Sequence, residues 1–282
     1  MSKVIITHHS PDVDAIASIW LVKRYYPGFE NSAVEFVQQG ETYQNLPVDS
    51  SPDHLHVDCG DGKFDHHDSS NKTCAMQLLF ENAKKMGWIP KRRVESIERM
   101  CELVCALDHF EDVDFPTPMA DFWPAFLSWI IDGYKRASRD HTAAVELGIK
   151  CFDGIQMSMQ NKIVAEDELE IKGQRFESIY GKGIAVTSDN DYTVRLAQMI
   201  GYQLVVCVSP KSGHVRIKLH PKNSNDLEQL LSVIKKHDSV DNWVYHQSGK
   251  MLLNPYSKSG KAPRSSLKLH EIVALVKNMK NS

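Results

Sequence analysis

The 282-residue sequence has no apolar run of bilayer length and no closely spaced cysteine pair of the CxxC type. Its six cysteines are scattered, which argues against a disulfide scaffold and against a thiolate-based zinc site. The lack of a long apolar run excludes a membrane-spanning helix, and Met1-Ser2-Lys3 leads into the chain without the features of a signal peptide. Internal repeats and low-complexity tracts are absent as well. We therefore expect a cytoplasmic protein with no membrane partner.

Net charge is also small, at −3, but the two signs are unevenly distributed. From residue 201 onward Lys and Arg outnumber Asp and Glu by 13 to 5, whereas the preceding residues carry 20 basic and 31 acidic side chains. An acidic metal-binding part joined to a basic part would suit an anionic substrate. A basic solvated surface would give the same counts, so charge alone leaves both interpretations open.

Acidic residues and histidines follow three apolar segments in the first quarter of the chain. They are His8, Asp12, Asp14, Asp58, Asp65, His66 and His67. Because the carboxyl ends of parallel strands meet at one edge of a sheet, we expect these side chains to gather there. Carboxylates crowded in this way repel one another unless a cation compensates them. Oxygen ligands mixed with imidazole suit Mn²⁺, Mg²⁺ or Fe²⁺, so the sequence predicts a metal site.

The order of apolar segments predicts an α/β fold with a doubly wound parallel sheet in the N-terminal part. Strands are expected over 3–7, 33–37 and 55–57, and helices over about 11–26, 74–86 and 90–108. Pro116-Thr117-Pro118 interrupts this pattern and begins a helical connector. Strands and helices alternate again from about Leu169. We predict a metal-binding catalytic domain over 1–115, a connector over 116–166 and a smaller, basic α/β domain over 167–282.

The connector is rich in aromatic and aliphatic side chains. Phe122–Phe126 and Trp129–Ile131 are too apolar for a free linker, and aromatics at helical spacing usually belong to a core. The sequence therefore predicts a buried helix here. A second long helix is expected over about His141–Val164.

The spacing His8-x-x-x-Asp12-x-Asp14, then Asp58, then Asp65-His66-His67 resembles the first three motifs of the DHH phosphoesterase superfamily. That superfamily includes RecJ-type single-strand exonucleases, phosphodiesterases of small oligonucleotides and cyclic dinucleotides, and manganese-dependent family II pyrophosphatases. The resemblance covers roughly the first 115 residues. A satisfied turn between sheet and helix would explain a lone Asp-His-His tripeptide, but not two further acidic strand ends upstream.

The resemblance implies a centre with two Mn²⁺ ions, Mg²⁺ being the alternative. The ligands it implies are His8, Asp12 and Asp58 for one ion, and Asp14, Asp58, His66 and Asp108 for the other. Asp58 would bridge the two ions. Asp108 matches the aspartate that follows a helix in the superfamily, with Asp112 and Asp114 as competitors in the same acidic turn.

Two further residues receive catalytic roles from the resemblance. His67 would touch the phosphoryl group of the substrate, while Asp65 would orient its neighbours. Lys72 lies in a polar loop that precedes the helix at Cys74, and a cation at such a helix start could contact a phosphate.

The basic C-terminal part contains a strand over 214–220 with polar and apolar residues in alternation. His214, Arg216 and Lys218 then share one face, which could bind an anionic substrate; an exposed edge strand guarded by charge is the alternative. The DHH superfamily usually carries a glycine-rich loop ending in histidine at this stage. Here only Ser212-Gly213-His214 remains, which leaves the substrate class open.

The predicted function is that of a metal-dependent phosphoesterase, a hydrolase acting on nucleotides or short nucleic acids. A hydrolase of a small phosphate compound such as pyrophosphate is the first alternative, and a nucleic-acid-binding module with a structural metal is the second. The C-terminal part lacks the dense aromatic and basic interleaving of a long single-strand groove, which favours short substrates. No motif specifies the oligomeric state, and a homodimer is possible.

Overall fold

The computed structural model describes residues 3–38, 40–68, 71–240, 243–254 and 263–280. The chain divides into two compact units, residues 1–160 and 161–282. Each unit has its own sheet and its own apolar core. The predicted division into a catalytic domain, a connector and a basic domain, with boundaries after residues 115 and 166, stays a prediction.

The sheet of the first unit is parallel and has the strand order β2-β1-β3. The strands are β1 (Val4–His8), β2 (Ala33–Val37) and β3 (His54–His56). β1 is built on β-branched residues, which suit a buried central strand. Its Ile5 faces a core formed with helices, whereas Val4 and Ile6 pack on the other side of the sheet. Because β1 and β3 pair in parallel, their carboxyl ends lie side by side.

Five helices begin in the first unit, and the last of them continues past its end at residue 160. They are α1 (Val13–Tyr25), α2 (Ala75–Lys85), α3 (Lys91–Asp108), α4 (Leu127–Ser138) and α5 (His141–Ile171). The Asp12 side chain caps α1 by accepting a hydrogen bond from the Ala15 amide at 3.0 Å. Trp20 of α1 is fully buried and its ring lies 5.8 Å from that of Phe152 in α5. Gly148 permits this close approach, because a Cβ there would lie 2.4 Å from Ile16.

The connector differs from the prediction in one important respect. Within α4, only Ile131 is buried and Trp129 is 52% exposed; Phe126, which directly precedes the helix, is 40% exposed. The expectation of a buried aromatic helix is therefore wrong for α4. The physical reason is that α4 packs along one side, and the buried aromatic, Trp123, lies in the short 3₁₀ turn before it. The long helix α5 is also longer than predicted and ends at Ile171.

The second unit is built on a six-stranded sheet with the order β4-β5-β6-β7-β9-β8. Its strands are β4 (Gln174–Ser178), β5 (Gly181–Thr187), β6 (Leu204–Val208), β7 (Val215–Leu219), β8 (Val244–Tyr245) and β9 (Met251–Leu253). Its helices are α6 (Asp191–Met199), α7 (Glu228–His237) and α8 (Leu269–Asn278). β5 and β6 are parallel and the other neighbours are antiparallel. The α/β class predicted for both parts of the chain is confirmed.

Two details of this sheet bear on the sequence predictions. Trp243-Val244-Tyr245-His246-Gln247-Ser248-Gly249-Lys250 predicts a hairpin with its turn at Ser248-Gly249, and β8 and β9 do pair in antiparallel fashion across the turn that contains Gly249. β7 lies between β6 and β9, so the alternative of an exposed edge strand is wrong. Among the helices of the described ranges, none is long and apolar enough to cross a membrane.

Candidate metal centre

The centre begins where β1 and β3 end. His8 is the last residue of β1, and the chain continues from β3 through Val57, whose amide donates to the Ile6 carbonyl at 2.9 Å. Asp58 follows in a left-handed conformation with φ of 57°. Aspartate tolerates this region better than most residues, and such backbone is often found at functional sites. The Asp58 amide then donates to the Phe64 carbonyl at 3.0 Å, which brings Asp65, His66 and His67 back to the sheet edge.

Asp58 directs its two carboxylate oxygens at two different histidines. Its Oδ2 lies 3.2 Å from Nε2 of His8, and its Oδ1 lies 3.2 Å from Nε2 of His66. The carboxylate is only 2% exposed. Oδ1 of Asp58 and Nε2 of His66 are both buried without a hydrogen-bond partner among the described residues. Two buried polar atoms that face each other in this way fit a shared cation.

His66 also approaches two carboxylates from other elements. Its Nε2 lies 3.6 Å from Oδ2 of Asp108 and 3.7 Å from Oδ2 of Asp14. Asp108 is the last residue of α3, and Asp14 lies in the first turn of α1. The two Asp14 oxygens accept the amides of Ala75 at 2.7 Å and Met76 at 3.0 Å, which fixes this carboxylate against the start of α2.

Three groups of side chains in the described residues could each hold a metal ion, with ligand atoms within 4.8 Å of one another. They are His8 with Asp12 and Asp58, Asp58 with His66 and His67, and His66 with Asp108 and His109. Successive groups share Asp58 and His66, so they describe one continuous centre. All donors are oxygen or imidazole nitrogen, and this set fits Mn²⁺ or Mg²⁺ better than a soft metal.

Electrostatics at the centre favour a bound cation. Burial raises the pKa of Asp12, Asp14 and Asp108, and the charge of Asp58 raises each of them further. Burial opposes protonation of His8, but its hydrogen bond to Asp58 prevails and raises its pKa to about 9. The Asp58 carboxylate likewise raises the pKa of His66 to about 9. Divalent cations would replace these protons and offset the excess negative charge.

His67 and Asp65 form a separate pair beside the ligands. Nδ1 of His67 lies 2.6 Å from Oδ1 of Asp65, and the other Asp65 oxygen accepts the Asp61 amide at 2.8 Å. Nδ1 of His67 is also 3.9 Å from Oδ1 of Asp58. The His67 side chain is 47% exposed, so Asp65 orients an imidazole that solvent or a substrate can reach.

The structure separates Asp108 from its two sequence competitors. Asp108 approaches His66, whereas Asp112 and Asp114 lie in a 3₁₀ turn and belong to none of the three metal groups of the described residues. His109 joins one of these groups, although no role is predicted for it from the sequence. Its Nε2 lies 3.0 Å from the Thr73 carbonyl, a contact across 36 residues. In the sequence, the one feature that could have indicated a role for His109 is its position directly after Asp108.

The residues predicted to bind substrate have partners of their own. Lys72 forms an ion pair with Glu111 in the first unit. In the second unit, Arg216 pairs with Asp191, and its guanidinium lies 3.5 Å from the Ser188 carbonyl. The side chains of β7 alternate as predicted, with Arg216 and Lys218 on its half-buried face. Nδ1 of His214 lies 3.3 Å from the Asn254 carbonyl.

Two cavities of the first unit adjoin the centre and share Asp12. The smaller measures about 300 Å³, and its lining includes His8, Asp58, Asp65 and His67. The larger measures about 630 Å³, and its lining includes Asp14, Asp108 and residues of α4. The centre can thus be reached by a small chemical group through the cavity beside His8 and His67, and by a larger one through the cavity beside α4.

Comparison with known proteins gives a family match and several similar structures. The family model described as ChrB, C-terminal domain, matches residues 5–159. No curated protein matches the chain. An uncharacterized protein from Helicobacter pylori G27 is 13% identical, with 98% of each chain covered and a TM-score of 0.27.

RecJ exonucleases are also among the similar structures. RecJ from Thermus thermophilus in complex with Mg²⁺ is 12% identical at a TM-score of 0.31, covering 98% of this chain and 49% of that chain. Exonuclease RecJ bound to manganese is 10% identical at a TM-score of 0.31, with coverages of 98% and 89%. At such low identity, function has to be argued from the centre itself.

Proposed function

We propose that this chain, which belongs to the family described as ChrB, C-terminal domain, is a metal-dependent phosphoesterase. It would hydrolyse phosphodiester bonds in nucleotides or short nucleic acids. The observation that carries the proposal is the double use of Asp58, whose oxygens lie 3.2 Å from His8 and 3.2 Å from His66. A buried carboxylate that faces two sets of ligands is suited to bridge a pair of cations.

The ligand sets of the proposed centre follow the sequence motifs. One ion would be held by His8, Asp12 and Asp58, and the other by Asp14, Asp58, His66 and Asp108. The mixture of carboxylate and imidazole donors favours Mn²⁺, with Mg²⁺ as the alternative. When bound, the two ions would activate a water and offset the charge of the reacting phosphate.

His67 would contact the phosphoryl group. Because the Asp65 carboxylate accepts a hydrogen bond from Nδ1–H of His67 at 2.6 Å, Nε2 remains available to a substrate oxygen. The Asp61 and His67 amides both donate to Asp65, at 2.8 Å and 3.3 Å, and hold its carboxylate in place. Asp65 is therefore a positioning residue that keeps the imidazole of His67 in one orientation.

Lys72, the β7 side chains Arg216 and Lys218, and His214, which directly precedes β7, would bind anionic groups of the substrate. Lys72 and its partner Glu111 are both substantially exposed, at 56% and 44%. Asp191, the partner of Arg216, is 91% exposed. The Lys72–Glu111 pair is exposed on both sides, and such pairs contribute only ~0–1 kcal/mol, so a substrate phosphate could replace Glu111 at small cost.

A substrate panel tests the proposal. Chelator-treated protein is supplied with Mn²⁺ and offered a dinucleotide, a short single-stranded oligonucleotide and pyrophosphate, with product release as the measurement. We expect metal-dependent cleavage of the dinucleotide and oligonucleotide. Cleavage of pyrophosphate alone would favour the pyrophosphatase alternative. Oligonucleotide binding without any cleavage would favour a binding module with a structural metal.

A further inference from the structure

The larger cavity has a wall that the metal centre does not explain. Its volume of about 630 Å³ lies within the ~300–1,000 Å³ of small-molecule sites. The metal side is formed by Asp12, Asp14 and Asp108. α4 contributes Ser128, Trp129, Asp132, Gly133 and Arg136, and Phe110 adds a second aromatic ring. The spacing of the α4 residues places them on one face of that helix.

This face of α4 is open and carries one aromatic ring, Trp129, among polar and charged side chains. Trp129 is 52% exposed and Phe110 is 76% exposed. A Cβ built on Gly133 would meet no atom within 4 Å, so there is free space in front of this turn of the helix. Arg136 is the cation among the lining residues. Two exposed aromatic rings, free space and a cation thus adjoin the same carboxylates that would hold metal.

α4 is fixed at the metal centre by the side that adjoins this face. Ile131 is fully buried, and Nζ of Lys135 donates to the Pro11 carbonyl at 3.1 Å, directly before Asp12. Lys135 also pairs with Asp132 at 2.9 Å and is only 12% exposed. The helix is therefore tied to the loop that presents a predicted metal ligand. Its aromatic face is held at a set position relative to the carboxylates.

We propose that the α4 face is a nucleobase subsite, in which Trp129 stacks on the base of a nucleotide whose phosphodiester lies at the metal centre. The proposal rests on the proposed function, which places the phosphodiester there. Flat bases stack on exposed aromatic side chains without regard to sequence, and a guanidinium pairs readily with phosphate. Pyrophosphate has no group that could use an aromatic wall, so this cavity favours nucleotides over inorganic substrates.

The test compares two substrates with one leaving group. Thymidine 5′-(p-nitrophenyl phosphate) and methyl p-nitrophenyl phosphate are both phosphodiesters that release p-nitrophenolate, and they differ in the nucleoside. We expect Trp129→Ala to lower the ratio of their kcat/KM values about ten-fold, which corresponds to ~1.4 kcal/mol. Gly133→Leu should lower it at least as much, because its side chain extends into the free space while leucine favours the helix.

Ile130→Ala is the matched control, because Ile130 is a 38% exposed neighbour on α4 that does not line the cavity. Thermal melts of all variants exclude a folding defect. An unchanged ratio in both Trp129→Ala and Gly133→Leu, or an equal change in Ile130→Ala, would overturn the subsite while leaving the phosphoesterase intact.

Calorimetric binding of AMP separates the two proposals. If the parent protein binds AMP and Gly133→Leu does not, yet neither ester is cleaved, then the subsite stands and the phosphoesterase proposal fails. If the parent cleaves the methyl ester but AMP binding is equal in parent and Gly133→Leu, the subsite is refuted.

Discussion

Replacing Asp58 by asparagine is the most informative single change. The substitution keeps the shape of the side chain but removes its charge and turns one acceptor into a donor. Asparagine also tolerates the left-handed backbone at this position, where φ is 57°. Alanine would add backbone strain and confuse the result. Asp58→Asn should therefore leave the fold intact while disabling the predicted bridge between His8 and His66.

The expected size of the effect follows from burial. Asp58 is 2% exposed, and removing one partner of a buried charge pair costs ~3–5 kcal/mol. At the lower end this weakens Mn²⁺ binding more than about 100-fold. A second effect of Asp58 partly offsets this loss of affinity. Asp58 raises the pKa of His8 and His66 to about 9, so protons compete with Mn²⁺ for these two imidazoles in the parent protein. At pH near 8.5, which is still below these pKa values, proton competition lowers the Mn²⁺ affinity of the parent, so the measured loss is a lower bound.

The assay is calorimetric titration of Mn²⁺ into chelator-treated parent and variant, with thermal melts to verify folding. Hydrolysis of a dinucleotide is measured on the same samples. Asp53→Asn is the control, since Asp53 lies before β3 and belongs to none of the three metal groups of the described residues. Full metal occupancy and normal turnover in Asp58→Asn would refute the bridging role.

Three further predictions concern pH, the histidine pair and β7. In the folded protein the pKa of His8 and of His66 is raised to about 9, so protonation of these histidines stabilises the fold. This contribution to the free energy of unfolding is complete below about pH 6.5 and is lost as pH rises through 9. Metal-free protein should thus melt at lower temperature at pH 9 than at pH 6.5, and Mn²⁺ should reverse this; a pH-independent melt would contradict it. His66→Ala should lose metal, whereas His67→Ala should keep metal and lose rate, and equal metal loss would show that the two roles are misassigned. Arg216→Ala should raise KM for a nucleotide more than for p-nitrophenyl phosphate; identical losses would indicate a folding defect, and no loss a merely solvated strand face.

The proximity of several predicted site residues could be anticipated because it depends on short-range rules. His8 and Asp58 directly follow buried strands, and parallel neighbours place such ends at one edge of a sheet. The structure groups His8 and Asp58 with Asp12, and it brings Asp58 within 3.2 Å of His66. Asp108 was harder to place, since three aspartates within seven residues could each follow α3. Only the tertiary fold, through His66, singles it out.

The exposed face of α4 could not be anticipated from composition. Apolar residues at helical spacing show that a helix can bury a side, but not how much protein covers it. Ile131 is covered and Trp129 is not, although both belong to the same apolar segment. What Trp129 faces depends on Asp14 and Asp108, which are distant in the sequence.

The second sheet shows the same limit. Alternation along β7 correctly predicted which side chains share a face, because it depends only on the two-residue period of a strand. The position of β7 inside the sheet depends on β9, which follows more than 30 residues later and pairs Leu252 with Ile217. Likewise, the pairing of Arg216 with Asp191 spans 25 residues and left no local signal.

The proposed function requires two divalent ions at the Asp58 centre for phosphodiester hydrolysis. The most direct measurement is the rate of dinucleotide cleavage against the number of Mn²⁺ ions bound per chain, starting from chelator-treated protein. We expect no cleavage without metal and a rate that rises as the second ion binds. Cleavage that persists in excess chelator, or no cleavage with two ions bound, would contradict it.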